Sequence, residues 1–88
     1  NSPVQILGEG EFVLGLLGKA DAPNAFMIVN RNYKREVETT VKISLPGRQL
    51  QELDRRTGQW TSAKNLSGKR TVKLKLAPGD GRLFRVTP

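Results

Sequence analysis

Along residues 37–45, VETTVKISL, apolar and polar side chains take turns: Val37, Thr39, Val41, Ile43 and Leu45 fall on one face, and Glu38, Thr40, Lys42 and Ser44 on the other. A period of two marks a strand with one buried and one wet side. Residues 71–76, TVKLKL, repeat the pattern, with Val72, Leu74 and Leu76 pointing inward and Lys73 and Lys75 pointing to water. Lysines so placed also protect a strand near a sheet edge from stray pairing. Residues 25–30, AFMIVN, are apolar at consecutive positions and carry β-branched side chains, which predicts a central strand covered on both sides rather than a six-residue helix. Residues 10–18, GEFVLGLLG, place Phe12, Leu14 and Leu16 opposite Val13 and Leu17, and the internal Gly15 predicts a bulge or a close backbone approach. Residues 82–86, RLFRV, set Phe84 and Val86 against Leu83 and Arg85, and residues 3–7, PVQIL, supply a short first strand.

The connections carry the residues that tight reversals need. GKADAPN (18–24), NRNYKRE (30–36), LPGRQ (45–49) and APGDG (77–81) each contain Pro, Gly, Asn or Asp. No window of helical length keeps apolar residues three and four apart without a Gly or Pro cutting it. The prediction is therefore an all-β fold, an antiparallel β-sandwich of six to eight strands with Greek-key-like connections. A closed small barrel of the oligonucleotide-binding type is the competing architecture, because it too is built of short strands and turns.

Between residues 49 and 63 the pattern predicts a hairpin. QLQELD is one arm, QWTSA begins the return, and RRTG forms the tip. Gly58 supplies the positive φ of a tight reversal, and Asp54 and Thr57 offer side-chain oxygens to local amides. On this reading Arg55 and Arg56 are a solvated tip, and Trp60 covers the end of the core with its large apolar surface.

Composition narrows the chemistry. With 88 residues and no internal shift of composition, residues 1–88 form one domain; 36% hydrophobic and 26% charged residues suit a folded, water-facing chain. The absence of cysteine removes disulfides, thiolate metal sites and thiol nucleophiles, and the absence of histidine removes the commonest general base and metal ligand. The eight carboxylates, Glu9, Glu11, Asp21, Glu36, Glu38, Glu52, Asp54 and Asp80, show no clustered acid/base set in the sequence. The isolated domain is thus expected not to be an enzyme and to need no cofactor or metal. GEGEFVLG (8–15) is glycine-rich but precedes no helix that would aim amides at a phosphate, and PGDG offers one carboxylate where a calcium loop assembles several oxygens. Asn-Leu-Ser at 65–67 fits the N-glycosylation acceptor pattern. The longest stretch dominated by apolar residues, FVLGLLG, is far shorter than the roughly 20 residues of a membrane-spanning helix. The chain opens on NSPVQ without an initiator methionine or a signal peptide, and reads as a mature or excised piece of a larger protein.

Fifteen Lys and Arg against eight Asp and Glu give a net charge of +7, a field that suits nucleic acid, acidic polysaccharide or an anionic surface. The charges are spread over almost every strand and loop, as on a generally solvated surface. Single-strand binders also need exposed rings for bases to stack on, and only Tyr33 and Trp60 qualify, since the three Phe sit in strand patterns. Sugar binding needs a flat exposed ring with polar neighbours, and Tyr33, Arg55, Arg56, Gln59 and Trp60 are the candidate ligand surface.

The order of segments AFMIVNRN, VKISLPG, LQELDRRTGQW and VKLKLAPGDGRLFRV resembles the small C-terminal β-sandwich domains appended to many glycoside hydrolases, the α-amylase-like and related enzymes. The resemblance covers residues 10 to 87 and consists of strand and turn signatures rather than catalytic ones. It implies that Asn30 ends a central strand and ties down the following loop. It also implies that Asp54, Thr57 and Gly58 form a hairpin corner, and that Pro78, Gly79, Asp80 and Gly81 form the last reversal before a strand carrying Leu83, Phe84 and Val86. The implied function is that of a non-catalytic accessory domain, stabilising or docking on the catalytic domain of the same chain in a secreted or periplasmic enzyme. A carbohydrate-binding module, with polysaccharide as partner, is the alternative, and a small basic barrel binding nucleic acid the third reading. The Arg55-Arg56 pair departs from the family pattern by making the corner unusually basic.

Overall fold

The computed structural model describes residues 3–8, 10–19 and 22–88. Their strands are β1 (Val4–Leu7), β2 (Phe12–Lys19), β3 (Ala22–Asn30), β4 (Val37–Ile43), β5 (Gln49–Asp54), β6 (Gln59–Asn65), β7 (Thr71–Leu76) and β8 (Gly81–Thr87), and no helix occurs among the described residues. They form two antiparallel sheets, β1-β4-β7 and β2-β3-β8-β5-β6. Two sheets with separate edges make a sandwich and not the closed barrel. The chain passes between the sheets after β1, β3, β4, β6 and β7, the Greek-key-like crossing that the turn-rich sequence implies.

The period-two alternation puts one side of each sheet into a single core. Val4, Val41, Ile43, Leu74 and Leu76 of the smaller sheet meet Phe26, Ile28, Leu50, Phe84 and Val86 of the larger, with Leu45 and Leu66 closing in from loops. Phe26 and Phe84 lie opposite each other in register and their rings stack 5.2 Å apart. Burying such side chains contributes about 1.5–3 kcal/mol each relative to leaving them exposed.

Two expectations need correction. β3 is central within its sheet, flanked by β2 and β8, but it is covered on one face only. Phe26 and Ile28 are fully buried, whereas Met27 is 41% exposed, because two layers leave the outside of each sheet without a third. Gly15 neither bulges nor meets a close neighbour: a Cβ there would find nothing within 4 Å, and the irregularity in β2 falls between Leu17 and Gly18, where Gly18 has φ 113°. Of the residues weighed from the sequence, Asn1, Glu9, Ala20 and Asp21 lie outside the described residues.

The reversals follow their chemistry. The Asp80 amide donates to the Ala77 carbonyl at 3.0 Å, Pro78 occupies the second position and Gly79 the third with φ 68°, which makes residues 77–80 a type II turn. At the β5–β6 corner the Gly58 amide donates to the Asp54 carbonyl (2.7 Å), the Arg56 amide to Asp54 Oδ1 (2.9 Å) and the Gln59 amide to Thr57 Oγ1 (3.3 Å), with Gly58 at φ 73°. Asn65 Oδ1 accepts from the Ser67 amide and hydroxyl, so the Asn-Leu-Ser motif is a local turn that turns Leu66 into the core.

Candidate docking surface and the loop end of the sandwich

The outer faces of the two sheets differ in kind. On the smaller sheet, cross-strand rows run Gln5–Lys42–Thr71 and Leu7–Thr40–Lys73, with Glu38 beside Lys75. That is the wet face foreseen for an antiparallel sheet. On the larger sheet, the rows run Val13–Val29–Gly81, Gly15–Met27–Leu83 and Leu17–Ala25–Arg85–Gln51–Ser62, and Leu53 faces Trp60. Apolar side chains therefore cross all five strands from Val13 and Leu17 to Trp60. Val13 is 49% exposed, Leu17 and Met27 slightly less, while Val29, Leu53, Leu83 and Trp60 are half-buried among their neighbours. A contiguous apolar sheet face rimmed by polar side chains is the mark of an interaction surface.

Trp60 belongs to this face. It does not close the core, as the hairpin pattern suggested, because it pairs with Leu53, which alternation turns outward from the buried Leu50. The Arg85 guanidinium lies 4.3 Å from the centre of its ring, and Arg85 Nε donates to Gln51 Oε1 at 2.7 Å. Trp and Arg are among the residue types that concentrate binding energy in protein interfaces, and Met is enriched in their composition.

The other candidate ligand residues sit at the loop end. Tyr33, 83% exposed, packs its ring against Gly79 of the 77–80 turn. Arg55 Nη2 reaches Asp80 Oδ1 of the same turn at 2.9 Å. Arg56 extends into solvent, with its Nε 3.8 Å from Asp54 Oδ1. Gln59, adjacent to Trp60 in an extended strand, points to the opposite face of the sheet. The five candidates thus divide: Tyr33 and Arg55 meet at one turn, Arg56 and Gln59 flank the hairpin tip, and Trp60 lies on the outer face. Glu52, Leu53, Asp54, Arg55, Arg56 and Thr61 line a shallow concavity of about 400 Å³ there.

Several charges that looked like general solvation are structural. Arg82 clasps Glu52 through two bonds, Nε to Oε2 at 2.7 Å and Nη2 to Oε1 at 2.6 Å, and its Nη1 donates to the Lys75 carbonyl. The hydrogen bond with Glu52, reinforced by the carboxylate charge, holds the Arg82 guanidinium above its ordinary pKa against the opposing effect of burial. Arg70 donates to the carbonyls of Ile43, Leu45, Gly47 and Leu66, fastening two loops at the far end of the sandwich. No pattern in the sequence separates these two arginines from the exposed ones. Among the described residues, no group of three or more His, Cys, Asp or Glu is placed to hold a metal ion.

Asn30 is fully buried at the end of β3. Its Nδ2 donates to the carbonyls of Arg35 (3.0 Å), Ala77 (3.2 Å) and Leu76 (3.3 Å), and its Oδ1 accepts from the Asn32 amide (2.9 Å). Its backbone amide donates to the Asp80 carbonyl at 2.8 Å. One side chain thus ties the 31–36 loop to the end of β7 and to the start of the 77–80 turn, against which Tyr33 packs and to which Arg55 reaches.

Comparison of the chain with protein-family models, with curated proteins and with solved structures found no match.

Proposed function

We propose that this domain is a non-catalytic accessory domain of a glycoside hydrolase, of the C-terminal β-sandwich kind that residues 10–87 resemble, and that it works by docking on the catalytic domain of the same polypeptide in a secreted or periplasmic enzyme. The observation that carries the reading is the contrast between the two outer faces: one bears lysine and threonine, the other a continuous apolar surface from Val13 to Trp60. Lys73 and Lys75 keep the first face in water. The second gains about 25 cal/mol for each Å² of apolar surface it removes from water against a neighbour. The docking contact transmits stability rather than chemistry.

The test joins the domain to the catalytic domain of its parent and compares the native protein with a Met27→Glu, Leu83→Glu variant. The variant is expected to lower the thermal midpoint of the catalytic domain while the isolated sandwich keeps its own. Equal midpoints in the two joined proteins would refute docking through this face.

A carbohydrate-binding module is supported by the exposed Tyr33 ring beside the Arg55–Asp80 pair. Titration with oligosaccharides, followed through Tyr33 and Trp60 amide shifts, separates the readings: the docking domain gives a flat response and a binding module a saturating one at Tyr33.

A further inference from the structure

A two-sheet sandwich has four edge strands, here β1 and β7 in the smaller sheet and β2 and β6 in the larger. Exposed edges present unpaired amides and carbonyls, and folded proteins discourage pairing there with short strands, lysines or bulges. β1 is four residues long, β7 aims Lys73 and Lys75 at solvent, and β6 carries polar side chains and a bulge opposite Leu50 and Gln51. β2 has none of these over its central length. From Phe12 to Gly18 it contains no charged residue and no proline, and its irregularity comes only after Leu17. Val13 and Leu17 are exposed on its outer side and Leu16 on its inner side, so both flanks of the edge are apolar.

We propose that β2 is a self-association edge: two copies of the chain pair β2 with β2, antiparallel about a twofold axis through Gly15, joining their five-stranded sheets into one. The choice of a second copy rests on self-complementarity. In this register Val13 lies opposite Leu17 of the partner subunit on the outer side, Leu14 lies opposite Leu16 of the partner subunit on the inner side, and Gly15 meets Gly15 of the partner subunit. Each pairing is apolar or glycine, and directly opposed residues of an antiparallel pair share a face, so none is forced to the wrong side. The net charge of +7 opposes association at long range, but the paired segment carries none of it, and distant surface charges are screened at physiological salt. An isologous twofold contact of this kind closes on itself and leaves no further β2 edge exposed. The inference stands apart from the docking reading, since it uses the edge of the sheet and not its face.

Sedimentation velocity of the 88-residue chain tests it. The expected result is a mass that doubles as concentration rises, with amide exchange of residues 12–17 slowing in step and that of β6 unchanged. Val13→Lys combined with Leu16→Lys, both at already exposed positions, is expected to restore the monomer with the β-sheet circular dichroism retained. Met27→Lys, one strand inward, is expected to leave the dimer intact. A monomer at every concentration overturns the proposal, as does a dimer that survives the double lysine variant. Should that variant fail to fold, the concentration dependence of amide exchange in the native chain decides, and exchange of residues 12–17 that ignores concentration refutes the pairing.

Discussion

Two side chains, Asn30 and Arg70, hold opposite ends of this sandwich, and each does so through backbone carbonyls. Asn30 is the more deeply placed. Replacing it with Ala strands three carbonyls and the Asn32 amide, and we expect a loss of about 2–3 kcal/mol in chemical denaturation, since a buried group left without its partner carries its full desolvation penalty. Arg70→Lys tests a different geometry. A single ammonium cannot reproduce a planar guanidinium that reaches four carbonyls, so Lys should destabilise almost as much as Met; recovery of native stability by Lys would show that only the charge matters. Gly47 has φ 135°, and a Cβ there would stand 2.5 Å from Val86 Cγ1 and 2.8 Å from the Thr87 carbonyl. Gly47→Ala is accordingly expected to lower stability by about 1–3 kcal/mol, whereas Gly15→Ala, in open space with no positive φ, leaves the thermal midpoint nearly unchanged. Of these sites, Asn30 was legible through the family resemblance. Arg70 was not, because its role depends on two loops that are distant in sequence and meet only in the fold.

At the scale of strands, alternation was an accurate guide wherever one face is buried and the other wet. β4 and β7 take the faces their patterns assign, with Val41, Ile43, Leu74 and Leu76 buried and Lys42, Lys73 and Lys75 exposed. The pattern misled where apolar residues run consecutively. In β3 such a run signals pairing on both edges, yet it cannot distinguish a second covering layer from an apolar face left open, and Met27 turned out to lie on the open one. Trp60 is ambiguous in the sequence for a related reason: a ring beside a turn fits the core or the opposite face equally well until the register of β5 and β6 is known. The β5–β8 pair supplies a test of its own. Glu52 and Arg82, only about a quarter exposed, share two short bonds where the inner face begins to open. Glu52→Gln keeps the shape but gives up the charge, and equilibrium denaturation is expected to record a loss of about 1–2 kcal/mol.

For the molecule as a whole, the order of strands matters more than any single contact. β1 pairs with β4, β4 with β7 and β3 with β8, so most of the ladder joins segments far apart in the chain. Topologies of this kind fold in milliseconds to seconds rather than microseconds, and stopped-flow refolding followed by Trp60 fluorescence is expected to fall in that range. The sandwich class was legible from local patterns alone. The division into a three-stranded and a five-stranded sheet was not, because nothing in a strand's own sequence names its neighbour. β8 illustrates the point: it is the last strand in chain order, yet it lies in the middle of the larger sheet, between β3 and β5. During synthesis, then, β2 with β3 and β5 with β6 can only wait as two separate hairpins, each with an open flank. The sheet becomes whole only when residues 81–87 arrive between them, so a nascent chain stopped short of β8 holds the larger sheet as two unjoined halves rather than as a smaller folded domain.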